Sequence, residues 1–130
     1  MKIIVYPSPE LRRKAELVTR ELAETEDFKS KLKEMAEIAK QDGIGLAATQ
    51  VGWNVQLFMV LVDKEFNRTE PEVFINPKIV SESKQVVSAE EGCLSFPGLL
   101  VGVRRPCKIT YRWERLDGSI GEAESSYSAD

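Results

Sequence analysis

The sequence predicts an α+β fold in which one amphipathic helix precedes several short, mainly antiparallel strands. Three observations predict it: a helical apolar stripe over residues 25–42, a nearly continuous apolar run over 55–62, and apolar/polar alternation over 108–114. The chain has 130 residues, of which 42% are hydrophobic and 30% charged. This length and composition suit a single globular domain over residues 1–130.

The predicted helix runs from about Thr25 to Asp42. Thr25 is suited to cap it, and Glu26 and Asp27 in the first turn complement the positive end of the helix dipole. Gly43 follows at a position where a left-handed cap is common. Five apolar residues fall on one face of this helix: Phe28, Leu32, Met35, Ala36 and Ala39.

The predicted strands begin with Val55 to Val62, a run typical of a strand buried on both faces. A second strand, Val73 to Ile75, is expected to end at the turn signal Asn76-Pro77. Short strand-like stretches follow at Ile79-Val80 and Val86-Val87.

The last predicted pair of strands forms a hairpin. Ile109, Tyr111 and Trp113 alternate with polar residues, which indicates a half-buried strand. Asp117-Gly118 is a hairpin turn signal, so the chain from Ser119 to about Tyr127 is expected to return as the partner strand.

The composition excludes several classes of function. The chain contains no histidine, so its residues alone cannot build a Ser-His-Asp triad, a Cys-His dyad or a histidine-ligated metal site. A net charge of -3 offers no field for nucleic acid or an anionic membrane, so neither is an expected partner. The longest apolar run, Leu57 to Val62, is far shorter than a membrane span. Two cysteines make no disulfide framework and no signal peptide is recognisable, so we expect a cytoplasmic, reduced protein.

The first segment with possible chemistry is Gly43 to Gln50. It matches a dinucleotide-binding fingerprint, with Asp63 about 20 residues further on, but it follows a helix rather than a strand. We therefore reject dinucleotide binding. Two interpretations remain open: a strand along which an extended ligand lies close to the backbone, with Gln50 as a donor, or a segment whose small residues only permit tight packing.

The second segment contains Cys93 between Glu90-Glu91 and Leu94-Ser95. A lone cysteine is most often a buried structural thiol. A nucleophile is disfavoured because no histidine is present to activate it and the adjacent carboxylates would raise its pKa. A metal-ligand role needs partners that the composition does not supply.

Taken together, the two segments resemble the first two signature motifs of the peptide deformylases. Gly43 to Gln50 meets every position of G-φ-G-φ-A-A-x-Q, where φ is apolar, and Glu91 to Ser95 is the unaltered E-G-C-L-S motif. The surrounding sequence is also similar to that family, in four places: Tyr6 to Arg12, Val51-Gly52, Ile75-Asn76-Pro77 and Arg105-Pro106. The resemblance covers essentially the whole chain.

The resemblance implies a metal-dependent hydrolase that releases formate from N-formyl-methionyl peptides. It implies Cys93 as a ligand of a divalent metal, iron(II) or zinc as a substitute, which activates water. Gln50 and the backbone N–H of Leu94 would stabilise the oxyanion. Ile44 and Gly45 would line the peptide and its methionine side chain. Glu91 is the third expected substrate-binding residue and would brace the loop against Arg105.

The family's third motif, H-E-x-x-H, is absent from these residues. It would bring two further metal ligands and the catalytic carboxylate, so we expect a C-terminally truncated, inactive chain that lacks the helix bearing them. Without that helix, Ile44, Leu46 and part of the face formed by Ile109, Tyr111 and Trp113 are expected to be exposed. Poor stability or self-association follows from that exposure.

Three interpretations stay open. The chain is part of a deformylase whose complete form is an enzyme, a non-catalytic protein that keeps a formyl-peptide groove, or a protein completed by an H-E-x-x-H helix supplied in trans.

Overall fold

A 17-residue helix and seven β-strands make up most of the regular structure in the computed structural model of the chain. The structure describes residues 1–42, 45–61, 71–92, 95, 97–98 and 100–126. Five strands form one sheet in the order β1-β2-β3-β6-β7, and β4 and β5 form a separate two-stranded sheet. All of these pairings are antiparallel, which confirms the predicted α+β class. The strands are β1 Gly45–Ala47, β2 Leu57–Val60, β3 Glu72–Glu82, β4 Val86–Gly92, β5 Leu100–Pro106, β6 Lys108–Glu114 and β7 Ile120–Ser126.

The long helix, α2 (Glu26–Asp42), confirms the prediction from the apolar stripe. The hydroxyl of Thr25 accepts a hydrogen bond from the Phe28 N–H at 3.1 Å, as expected of a cap. Three residues of the stripe, Phe28, Met35 and Ala39, are almost fully buried. A short helix that was not predicted, α1 (Arg20–Ala23), precedes it and is capped by Thr19.

The predicted turn at Asn76-Pro77 is wrong. β3 continues through both residues, and its pairing with β6 shifts register between Ile75 and Lys78. Asn76 has a φ of +48°, the left-handed conformation that asparagine tolerates better than most residues. A β-bulge therefore accommodates residues that usually end a strand.

Within residues 43–50, for which a strand was one of the two open interpretations, the described residues form a strand from Gly45 to Ala47, and residues 43 and 44 lie outside the described part of the chain. A 3₁₀ turn over Ala48–Val51 follows and ends at Gly52, whose φ is +78°. Glycine adopts this conformation without the steric cost of a Cβ atom. Gln50 consequently lies in a tight turn beside β1, not in the strand itself.

One face of the five-stranded sheet packs against α2. Leu57 and Met59 of β2 are buried there, whereas Phe58 and Val60 on the opposite face are half-buried, so the predicted double burial holds for one face only. Leu46 is also buried, contrary to the expected exposure, because it points into this core. The cluster consists of Val18, Phe28, Met35, Ala39, Leu46, Ala48, Val51, Trp53, Val55, Leu57, Met59 and Ile75.

The opposite face of the sheet carries four aromatic rings in mutual contact, called here the aromatic face: Phe58, Phe74, Tyr111 and Trp113. The Phe58 and Phe74 rings stack with centroids 4.7 Å apart. A groove of about 670 Å³ crosses this face. Trp113 is buried and Tyr111 and Ile109 are half-buried, so the expected exposure holds only in part.

The hairpin of β6 and β7 turns at residues 115–119, as predicted from Asp117-Gly118. Gly118 has a φ of +89°, and its N–H donates to the Arg115 carbonyl at 2.9 Å. The other hairpin, β4–β5, leaves the sheet between β3 and β6. Its base is held by bonds from Ser83 N–H to Lys108 and from Cys107 N–H to Gln85. Among the described helices, none is long and apolar enough to cross a membrane.

Candidate functional site

The two motif segments meet through the side chain of Gln50. Its Oε1 accepts a hydrogen bond from the Ala47 N–H at 2.9 Å, and its Nε2 donates to the Ser95 hydroxyl at 3.1 Å. The turn over Ala48–Val51 brings Gln50 back alongside Ala47, which makes the first bond possible. The carboxamide therefore lies between the end of β1 and the second motif.

The amino-terminal segment holds the same two motifs together through its backbone. The Ile4 N–H donates to the Gln50 carbonyl at 2.6 Å, and the Tyr6 N–H donates to the Ser95 carbonyl at 2.9 Å. Because the two bonds come from residues two positions apart in the chain, residues 4–6 limit the separation between Gln50 and Ser95.

β1 lies at one end of the five-stranded sheet and pairs within it with β2 alone. Gly45 is exposed there, and a Cβ atom built on it would have the Met59 carbonyl, 3.8 Å away, as its nearest neighbour among the described residues. Gly45 is therefore not required for tight internal packing, whereas Ala48 is completely buried. An exposed strand edge of this kind is where extended peptides pair with proteins.

Glu91 and Arg105 form a bidentate ion pair across the β4–β5 hairpin, with both N–O distances at 2.6 Å. Hydrogen bonds from the Arg105 guanidinium, assisted by its charge, hold the pKa of Glu91 below its ordinary value, against the opposing effect of partial desolvation. The two strands of the hairpin are thereby tied together at Glu91, the first residue of the second motif.

Three predicted site residues, Ile44, Cys93 and Leu94, lie outside the described residues. Gln50, Gly45 and Glu91 are described, and the structure brings Gln50 to Ser95, the last residue of the second motif. Ser95 was not singled out by the sequence analysis. Its place in the E-G-C-L-S motif was the available signal, but a serine gives no indication of its partner.

The described residues lack a complete set of ligands for a divalent metal. Within the described residues no group of three or more Cys, Asp or Glu side chains is placed to hold a metal ion. The sequence contains no histidine, so Cys93 is the one soft ligand that the two motifs contribute. A catalytic zinc or iron site needs about three protein ligands. These residues alone do not fit such a metal.

Comparison with known proteins places this chain among the peptide deformylases. The model of the family described as polypeptide deformylase matches residues 1–126. A peptide deformylase of Rhodopseudomonas palustris is 39% identical over 126 residues, which cover 95% of this chain and 71% of that protein. The tomato chloroplastic peptide deformylase 1B is 35% identical over 131 residues, and the chain spans 44% of its length.

A solved structure agrees with the sequence comparisons. The crystal structure of the peptide deformylase from Thermotoga maritima superposes with a TM-score of 0.81 at 34% identity, covering 97% of this chain and 81% of that one. The fold, with an antiparallel sheet beside two joined motif segments, is similar to that of this peptide deformylase. The chain belongs to the peptide deformylase family.

Proposed function

We propose that this chain provides the peptide-binding part of a peptide deformylase site and binds N-formyl-methionyl peptides along β1. The observation that carries the proposal is the position of the Gln50 carboxamide, whose NH₂ end is directed to the second motif. In this arrangement Gln50 and the Leu94 N–H are the donors to the formyl oxygen. Ile44 and Gly45 line the peptide, and Glu91 braces the loop that carries Cys93.

The complete reaction adds water to the formyl carbon, breaks its C–N bond and yields formate and a free amino terminus. These residues contribute one thiolate, Cys93, toward the family's divalent metal, iron(II) or zinc. Two further ligands and a proton-transferring carboxylate must come from outside these 130 residues. We therefore propose that this chain alone binds the formyl peptide without hydrolysing it.

We also propose a domain organisation and a cellular compartment for the chain. Residues 1–130 are proposed as a single domain, since α2 and the five-stranded sheet share one core. The cytoplasm is the proposed compartment, in keeping with the absence of a disulfide framework in the sequence.

Completion in trans or self-association is the second candidate property, favoured by the aromatic face. The groove of about 670 Å³ has an apolar floor that includes Phe58, Phe74 and Tyr111, and Ile79 at its rim is 56% exposed. An amphipathic helix from another polypeptide, or a second copy of this chain, would bury this surface.

A titration followed by nuclear magnetic resonance tests the binding proposal. Formyl-Met-Ala added to the ¹⁵N-labelled chain is expected to shift amide signals over residues 45–50 and 91–95 and to leave the β6–β7 hairpin unchanged. Gln50→Ala should weaken these shifts, while Gln56→Ala, a glutamine bonded to the Ala15 carbonyl away from the motifs, should not. Shifts confined to the aromatic face would instead support peptide binding at a different surface and contradict the proposal.

A further inference from the structure

Ser95 is the one buried side chain among the described residues that is polar or charged, with 2% of its surface exposed. A hydroxyl in such a position is stabilised when it forms hydrogen bonds, because its desolvation is otherwise uncompensated. Its Oγ accepts from the Nε2 of Gln50 at 3.1 Å. The buried hydroxyl of Ser95 therefore forms a hydrogen bond with a residue of the first motif.

Two hydrogen bonds of the Gln50 carboxamide with described residues distinguish between the two possible positions of its oxygen and NH₂ ends. A backbone N–H only donates, so the Ala47 N–H requires an oxygen, and Oε1 supplies it at 2.9 Å. In the flipped orientation the amide NH₂ would face the Ala47 N–H, donor against donor. With Oε1 fixed by Ala47, the NH₂ end is directed to Ser95.

The backbone around both residues is fixed independently of this side-chain bond. The Ile4 N–H bonds to the Gln50 carbonyl and the Tyr6 N–H to the Ser95 carbonyl, two positions apart on the amino-terminal segment. Removing the Ser95 hydroxyl would thus leave the separation of the two backbones in place. The loss of the hydroxyl would therefore alter the orientation of the Gln50 carboxamide before it alters the backbone.

We propose that Ser95 is a positioning residue that fixes the donor end of the Gln50 carboxamide for the formyl oxygen of the peptide. Ser95 acts through Gln50 and does not itself touch the peptide. The inference rests on the proposed function in naming the formyl oxygen as the acceptor. The orientation of Gln50 by Ser95 stands on the geometry alone.

The test compares Ser95→Ala with Val51→Ala in the full chain. Val51 is also buried, at 5% exposure, and lies next to Gln50 in the same 3₁₀ turn, so its truncation disturbs packing while keeping the hydrogen bonds of the carboxamide to Ala47 and Ser95. Two readouts are taken: the side-chain NH₂ signals of Gln50, with their nuclear Overhauser contacts, and the dissociation constants of formyl-Met-Ala and Met-Ala.

In the wild-type chain the Gln50 NH₂ protons should show contacts to the Ser95 Hβ protons. Ser95→Ala should move the Gln50 NH₂ signals and raise the dissociation constant of formyl-Met-Ala by about two- to tenfold, the range expected for one hydrogen bond. The dissociation constant of Met-Ala should stay unchanged. Val51→Ala should lower the melting temperature while preserving the Gln50 signals and the preference for the formylated peptide.

Equal losses in both variants, or an unchanged Gln50 signal in Ser95→Ala, would overturn the inference. If Ser95→Ala does not fold, the wild-type spectrum decides: contacts between Gln50 and Ser95 support the inference, and their absence overturns it. If the wild-type chain binds no formyl-Met-Ala, the proposed function fails. The spectra of Gln50 then decide the orienting role of Ser95 separately.

Discussion

The side-chain amide of Asn76 holds the backbone of Val18 through two hydrogen bonds of 2.8 Å, one to its N–H and one to its carbonyl. The same Nδ2 also donates to the Glu114 carboxylate at 2.6 Å. Asn76 is the residue of β3 with the positive φ, so its unusual backbone directs the amide at Val18. One side chain thus joins the segment that precedes α1 to the middle of the sheet.

Asn76→Ala is expected to lower the free energy of unfolding by about 2–4 kcal/mol. The alanine loses the hydrogen bonds to Val18 and also resists the left-handed conformation. Asn76→Gly, which tolerates the conformation but lacks the amide, should lose less than the alanine variant. Urea unfolding of the three proteins measures both differences. If both variants are as stable as the wild type, the hydrogen bonds between Asn76 and Val18 contribute nothing to the free energy of unfolding.

Gly121→Ala is expected to lower the free energy of unfolding by about 1–3 kcal/mol, the usual cost of overpacking. A Cβ atom there would overlap the Trp113 indole and come within 2.9 Å of the Arg115 guanidinium. Gly102→Ala is the matched control, since a Cβ atom on Gly102 meets no described residue within 4 Å. Thermal unfolding followed by circular dichroism compares them. Equal melting temperatures for both variants would contradict the packing derived for the β6–β7 hairpin.

Much of the fold was predictable from local patterns, and the exceptions have physical causes. The stripe of α2 and the Asp117-Gly118 turn were readable because a helix period and a hairpin turn are encoded by neighbouring residues. A turn was wrongly predicted at Asn76-Pro77, because the bulge found there is stabilised by Val18, which is 58 positions away. The turn propensities of neighbouring residues carry no information about a contact so distant in the sequence.

In the candidate site, too, some features were predictable from the sequence and others were not. The motifs identified Gln50 and Glu91 as residues of interest, and the resemblance suggested the Arg105 partner that the ion pair contains. The bond between Gln50 and Ser95 spans 45 positions and depends on where the amino-terminal segment crosses both motifs. No spacing within either motif encodes that crossing.

Glu91→Gln is expected to increase amide hydrogen exchange in the β4–β5 hairpin, because it removes the charge that pairs with Arg105. Arg105 lowers the Glu91 pKa from 4.5, so the carboxylate favours the folded state. This contribution is complete above pH 4.5 and is lost as the pH falls through the lowered pKa. The difference between wild type and variant should therefore shrink as the pH is reduced below 4.5.

Glu122→Gln is the control for that experiment. Glu122 pairs with Arg112 at 2.6 Å on the β6–β7 hairpin, so its loss should leave exchange in β4 and β5 unchanged. A Glu91→Gln difference that stays constant at acidic pH would contradict the role assigned to the ion pair.

Ile79→Glu is expected to weaken self-association of the chain. Ile79 lines the groove on the aromatic face, and burying such a side chain contributes about 1.5–3 kcal/mol. The concentration at which half the chain is associated should therefore rise at least about tenfold in sedimentation velocity. Ile120→Glu is the matched control, because Ile120 is similarly exposed, at 62%, and lies outside the residues that line this groove. A wild-type chain that stays monomeric at every concentration would contradict this account of the face.

The central claim is that these residues recognise the formyl group of a peptide without hydrolysing it. Titration calorimetry of the full chain with formyl-Met-Ala and with Met-Ala tests it most directly, with formate measured in the cell afterwards. The account predicts binding of formyl-Met-Ala at least about fivefold tighter than that of Met-Ala, since two neutral hydrogen bonds to the formyl oxygen, at about 0.5–1.5 kcal/mol each, contribute about 1–3 kcal/mol, and it predicts no formate. Equal affinity for the two peptides, or stoichiometric release of formate, would contradict it.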